Sequence, residues 1–248
     1  MNKEVSAILD DFINIYWAPD GLARLDPLDK HPPFVGEVVP TVNNENGILF
    51  LAEIMLEFKL QGVDSPHWPL FVRKSREALE NLRIPNSACY NRRPGQVMMN
   101  SHDNLIGIVV LCQVMGFEDD LKRLHKWGTR NFWSFNNIDP DKWWDLRAWL
   151  QPRDQALVRL AVGRPPGLIS AIWLMGAVLT KSKHKRMMRL RMESVKMSFP
   201  KGILSRYLQW WWGKWGGYDR FALECAEYYK DPENPYRRLT ALSVSTDP

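Results

Sequence analysis

Hydrophobic side chains recur at helical spacing along most of this chain, and proline and glycine separate the successive segments. Between Val5 and Trp17 the apolar positions fall mostly three or four residues apart, which is the period of an amphipathic helix. Segments 47–60 and 105–114 are apolar on nearly every side, a pattern typical of helices that other helices enclose. Alternating strand patterns are sparse. The sequence therefore predicts an all-α protein.

Amphipathic segments surround these two enclosed helices. The pattern predicts further helices at 68–82, 119–129, 140–150, 152–162, 168–180, 180–199, 203–215 and 218–229. Alternation of enclosed and amphipathic helices is typical of helical hairpins arranged as an α/α barrel or an incomplete toroid, although a plain orthogonal bundle gives the same pattern. We expect residues 1–230 to form a single helical domain and residues 231–248 to form a C-terminal tail.

Composition permits one compact core, because 45% of the 248 residues are hydrophobic. The longest uncharged apolar run, 168–179, is shorter than the ~20 residues that a membrane-spanning helix needs. The first residues lack a secretory pattern, and three widely spaced cysteines are typical of reduced thiols in a protein made in the cytoplasm. The sequence contains no metal-binding histidine pair and no glycine-rich phosphate loop. We expect a soluble protein without a metal ion or a cofactor.

The net charge of +5 comes from one short basic stretch. Its six cations are Lys181, Lys183, Lys185, Arg186, Arg189 and Arg191. Interleaved methionine and leucine can form the apolar side of a helix with the cations opposite, which favours a solvated helix face. A phosphate-binding surface and a surface for an acidic protein are the alternatives. Nucleic acid is the less favoured partner, because no RRM, KH or zinc-finger signature accompanies the stretch.

Polar side chains stand at the start of both enclosed helices. The two segments read Asn44-Glu45-Asn46-Gly47-Ile48-Leu49-Phe50 and Asn100-Ser101-His102-Asp103-Asn104-Leu105-Ile106-Gly107-Ile108. They resemble the inner-helix starts of phage-encoded virion-module proteins that are similar to six-hairpin, α/α-toroid glycan-active enzymes. The resemblance covers mainly residues 40–115, together with Gln151-Pro152-Arg153-Asp154. It implies a toroid-like scaffold in a phage protein, although the chain is short for a complete six-hairpin toroid.

If both enclosed helices run parallel in one inner ring, their polar N-terminal ends lie together at one opening of that ring, which we call the mouth. The candidate catalytic residues there are Glu45, Asn46, Tyr90, Arg93, His102 and Asp103, with Arg92, Arg153 and Asp154 as candidate binding residues. Histidine or tyrosine can transfer protons, arginine can neutralise a uronate, and Glu45 with Asp103 could act as the paired carboxylates of a glycosidase. The alternative is helix capping, for which asparagine and aspartate are favoured; capping explains His102 least.

The chain contains twelve tryptophans, four of them close together. These four candidate binding residues are Trp210, Trp211, Trp212 and Trp215. Three adjacent helical residues point about 100° apart, so they cannot all face one core. An exposed tryptophan there could stack on a sugar or anchor a partner protein, whereas a satellite core is the alternative.

Three functions follow from these patterns. The first is a virion-associated structural or adaptor protein of a phage tail or head–tail assembly, made in the host cytoplasm and bound to virion proteins or to itself. The second is a glycan lyase or glycoside hydrolase that acts at the mouth, so catalytic activity stays an open question. The third is a nucleic-acid-binding accessory protein, which depends on the basic stretch alone and predicts affinity that falls steeply with salt.

Overall fold

The computed structural model describes residues 3–17, 21–23, 47–63, 67–91, 102–135, 149–179 and 185–198, together with Arg206, Trp210, Arg238 and Leu239. Helices account for 76% of these residues, and no strand occurs among them. The predicted all-α class is confirmed. None of the described helices is long and apolar enough to cross a membrane.

Eight α-helices are described. They are α1 (Lys3–Asp11), α2 (Gly47–Leu60), α3 (Trp68–Leu82), α4 (His102–Met115), α5 (Glu118–Arg130), α6 (Pro152–Ala161), α7 (Leu168–Leu179) and α8 (Lys185–Ser198). A π-helical turn, Phe12–Tyr16, continues α1 directly. The predicted helices 203–215 and 218–229 lie outside the described residues, apart from Arg206 and Trp210, which are helical.

Helices α2 and α4 form the centre of the fold, and both are buried along most of their length, as predicted. Near their N-terminal ends the backbones approach closely, because a Cβ added to Gly107 would lie 2.9 Å from the Cα of Leu49. Near their C-terminal ends the Nζ of Lys59 donates a hydrogen bond to the carbonyl oxygen of Val114 at 3.0 Å. The two helices therefore run parallel, and their N-termini share one end of the fold.

Helix α3 covers this centre with one face, as its amphipathic pattern predicts. Phe71, Ala78 and Leu79 are buried, whereas Arg73 and Glu77 are exposed. Phe71 belongs to a buried aromatic cluster in which neighbouring ring centroids lie 5.1 to 5.8 Å apart. Its members are Phe12, Trp17, Phe58, Trp68 and Phe71. The cluster joins α1 and its π-helical turn to α2 and α3.

Helix α8 differs from the expected amphipathic helix with a solvated cationic face. Its side chains from position 187 to 195 are all buried, including Arg189 and Arg191. Each buried guanidinium group faces carboxylates: Arg189 lies 3.8 Å from Glu57 and 3.0 Å from Glu193, and Arg191 lies 2.8 Å from Asp154. The expectation of a solvated face is wrong for these two arginines, because carboxylates compensate their charge inside the fold.

The predicted helix at 140–150 is wrong at its C-terminal end. Trp149 pairs with Ser134 in an isolated bridge, and the backbone amide of Leu150 donates to the carbonyl oxygen of Trp133 at 2.9 Å. Neither residue is helical. Positions 136–148 lie outside the described residues.

Candidate functional site

The shared N-terminal end of α2 and α4 is where the sequence predicts a site. His102 begins α4, and Asp103 is exposed in its first turn. The Nε2 atom of His102 is buried and has no hydrogen-bond partner within the described part of the chain. The candidate catalytic residues Glu45, Asn46 and Arg93 lie outside the described residues, as does the candidate binding residue Arg92. Of the three candidate catalytic residues that are described, His102 and Asp103 lie at this end.

Arg153 and Asp154 join this end of the fold from the first turn of α6. Burial lowers the pKa of Arg153, and the nearby Arg191 lowers it further, whereas the carboxylates of Asp154 and Asp103 raise it. Asp103, Arg153 and Asp154 are therefore close enough to interact electrostatically. Of these three side chains Asp154 is almost wholly buried and bound to Arg191, so Asp103 and Arg153 are the groups that a ligand can reach.

A small cavity lies beside Asp154. It has room for about one water molecule, far less than a sugar ring needs. Its other lining residues are all apolar: Leu105, Ile106, Val109, Leu150, Leu157 and Val158. The cavity is a packing void rather than a glycan subsite.

Tyr90 lies elsewhere, beside Cys112, which is ten residues or about 15 Å further along α4 than His102. Its ring is fully buried, and its hydroxyl donates to Oδ1 of Asp120 at 3.4 Å and accepts from Nη2 of Arg123 at 3.1 Å. Burial raises the pKa of Tyr90 to about 12. Tyr90 therefore does not join His102 and Asp103, and its phenol stays protonated near neutral pH.

Asp120 is the centre of a charged cluster that sequence reasoning missed. The carboxylate is almost completely buried and accepts hydrogen bonds from three guanidinium groups. They belong to Arg76 on α3, Arg83 directly after α3, and Arg123 on α5. Only the spacing of Asp120 and Arg123 on one helix face signals part of this cluster, since the other partners lie 37 and 44 positions away.

Helix α7 presents a second feature that the sequence did not reveal. Four of its apolar side chains, Leu168, Ile169, Ile172 and Trp173, are each more than half exposed. Their spacing places them on two successive turns of one helix face, whereas Ser170 and Leu174 are buried on the other. We call these four residues the α7 stripe. An exposed apolar surface of this kind is typical of an interaction site.

The remaining candidate binding residues lie mostly outside the described part of the chain. Trp210 is exposed, but Trp211, Trp212 and Trp215 are not described, and neither are Lys181 and Lys183. Lys185 and Arg186 form the first turn of α8. Within the described residues, no group of histidine, cysteine, aspartate and glutamate side chains could hold a metal ion.

Comparison of the chain with protein-family models, with curated proteins and with solved structures finds no match.

Proposed function

We propose that this protein is a structural adaptor of a phage particle, in which it binds a second copy of itself. The observation that carries the proposal is the α7 stripe. Four large apolar side chains on one exposed helix face present roughly 400–500 Å² of apolar surface, which is comparable with the largest apolar patch of a typical monomer, about 300–600 Å².

A second copy of the chain is the occupant that suits this surface best. The stripe contains no charged side chain, so two identical stripes are complementary when a two-fold axis relates them. Its area is about half of the ~800 Å² that each partner of a standard interface buries. The stripe would therefore form the apolar centre of an interface, with a polar rim around it.

The scaffold that we propose is an incomplete α/α toroid with α2 and α4 in its inner ring. Their parallel direction supports this arrangement, because inner helices of successive hairpins run the same way. The resemblance of segments 44–50 and 100–108 to virion-module proteins supports a phage particle as the setting.

Sedimentation equilibrium tests the self-association. The wild-type protein is expected to dimerise at micromolar concentration, and Ile172→Glu is expected to weaken the dimer by at least tenfold because it buries an unpaired charge. Phe132→Asn is the matched control, since Phe132 is 77% exposed outside the stripe and its φ of 50° suits asparagine. A monomeric wild type, or equal weakening by both variants, would overturn the proposal.

Mass spectrometry of purified phage particles tests the virion setting independently. Stoichiometric amounts of the chain in particles are expected. Its absence from particles, together with its presence in the lysate, would contradict a virion role even if the dimer forms.

A glycan-active enzyme is the second candidate, and the common end of α2 and α4 favours it. At this end of the fold His102 supplies a group for proton transfer, Asp103 an exposed carboxylate, and Arg153 a partly exposed cation for a uronate. For this function, His102→Ala should abolish release of sugar products without changing the thermal midpoint. His67→Ala, before α3, is the matched control and should leave product release unchanged. Retained product release in His102→Ala would exclude His102 as a catalytic residue.

A further inference from the structure

The cluster around Asp120 carries more positive charge than its own carboxylate neutralises. Three guanidinium groups and one carboxylate leave a net charge of +2. The other carboxylates in the first turn of α5, Glu118 and Asp119, are exposed and contact Lys122 at 3.3 and 3.9 Å. Within the described residues, no second carboxylate pairs with the three arginines.

The arginines also retain unused hydrogen-bond donors. Each guanidinium group has five N–H groups, and each of the three arginines donates one hydrogen bond to Asp120. The Nε atoms of Arg83 and Arg123 are buried and make no hydrogen bond in the described part of the chain. Buried donors of this kind normally have an acceptor, so the cluster lacks one.

Solutes can reach the cluster. Between 28% and 36% of each arginine side chain is exposed, whereas Asp120 lies beneath them and is only 3% exposed. An anion that approaches from solvent therefore meets the guanidinium groups before it meets the carboxylate.

Contacts with neighbouring side chains and backbone order the three arginines before any ligand binds. The guanidinium carbon of Arg76 lies 3.7 Å from the ring centroid of Phe117, which orients its plane. The backbone of Arg83 pairs with Tyr90, and the hydroxyl of Tyr90 accepts a hydrogen bond from Arg123. Groups that are already ordered lose little entropy when a ligand binds.

We propose that Arg76, Arg83 and Arg123 form a binding site for a phosphate dianion, either inorganic phosphate or the phosphate group of a small phosphomonoester. Two negative charges match the net charge of the cluster. Tetrahedral phosphate oxygens can accept the forked N–H pairs of several arginines at once. This site consists of residues outside the α7 stripe, so its test does not depend on the proposed self-association.

Isothermal titration calorimetry with inorganic phosphate and with glycerol phosphate, at pH 7.5 and constant ionic strength, tests the site. Saturable binding of one equivalent is expected for wild type. Tighter binding of phosphate identifies the free anion as the ligand, tighter binding of glycerol phosphate identifies a phosphomonoester, and either order supports the site. The absence of saturable binding of both probes would overturn it.

Variants of α3 localise the site. Arg76→Gln is expected to weaken binding of the tighter probe at least tenfold. Arg73→Gln is the matched control, because it removes the same charge one turn earlier on α3, where Arg73 pairs with Glu77, and it should change affinity less than twofold. If Arg76→Gln does not fold, Arg76→Lys is the second variant. It keeps the positive charge but removes the paired N–H donors of the guanidinium group, so affinity for the probe is expected to fall at least threefold. Equal losses at positions 73 and 76 would show a general charge effect and contradict the site.

Discussion

Arg191 donates a hydrogen bond from Nε to Oδ1 of Asp154 at 2.8 Å, and a second contact joins its Nη2 to Oδ2 at 3.4 Å. Only 5% and 1% of the two side chains are exposed. The pair connects the middle of α8 to the first turn of α6. It explains how a helix as basic as α8 can be enclosed, since the charge has a partner in the interior.

Asp154→Ala is expected to lower the free energy of unfolding by about 3–5 kcal/mol, because it leaves the Arg191 guanidinium buried without its partner. Urea denaturation followed by circular dichroism measures this change. The double variant Asp154→Leu/Arg191→Met should recover most of the loss, since it removes both charges.

Glu118→Ala provides the control for that prediction. It breaks the exposed contact between Glu118 and Lys122 and should cost less than about 1 kcal/mol. A double variant that is no more stable than Asp154→Ala would show that the loss comes from packing rather than from the unpaired charge.

Gly107→Ala is expected to destabilise the fold by about 1–3 kcal/mol, because the added Cβ would push against the backbone of Leu49 and separate α2 from α4. Gly176→Ala in α7 is the matched variant, since its Cβ would meet no atom within 4 Å. Alanine is the better helix former by roughly 0.5–1 kcal/mol, so this change should be stabilising. Thermal unfolding measures both, and changes of the same sign would contradict the close approach of α2 and α4.

The bounds of α2 and α3 were predictable to the residue. The apolar run of α2 begins at Gly47 and ends shortly before Gly62, and α3 follows Pro66, so local signals mark both helices. Helix α4 begins at His102, three residues before the apolar segment 105–114. Ser101, a favoured N-cap residue, and Asp103, a carboxylate suited to the first turn, mark this start in the sequence.

Burial of α8 and exposure of α7 could not be predicted from their own patterns. The cations of α8 are buried because Glu57 and Asp154 arrive from α2 and α6, which are distant in sequence. An apolar pattern such as that of α7 normally predicts a helix that other helices enclose. Whether another element covers the helix depends on the tertiary arrangement. For the same reason the prediction that Tyr90 lies at the mouth is wrong, because its hydrogen bonds to Asp120 and Arg123 hold it elsewhere.

Cys89 and Cys112 are both free and buried, which confirms the sequence prediction for these two thiols. Burial raises the pKa of Cys89 to about 11, and burial also raises the pKa of Cys112. In a Cys225→Ser variant, a thiol reagent at pH 8 should therefore label no cysteine in the folded protein and two after unfolding in urea. Rapid labelling of the folded variant would contradict the burial of these thiols.

The same pKa shifts predict a loss of stability at alkaline pH. The thiols ionise near 9.0 when the chain is unfolded and at higher pH when it is folded, so the unfolded state releases protons first as the pH rises. The free energy of unfolding should fall as the pH is raised from about 9 to 11. Cys89→Ala should make this fall shallower, and an unchanged slope would contradict the raised pKa.

His125 on α5 gives the opposite pH dependence. Partial burial lowers its pKa from 6.5, and the cations of Arg159 and Arg164 lower it further. The folded state therefore binds fewer protons than the unfolded state just below pH 6.5, and the contribution of this group to stability is lost as the pH falls through that range. An NMR titration of the His125 ring should give a midpoint below 6.5 that rises in Arg164→Gln. Lys126→Gln removes an exposed neighbouring charge from α5 and should move the midpoint less. A midpoint at or above 6.5 in the wild type would contradict the lowered pKa of His125.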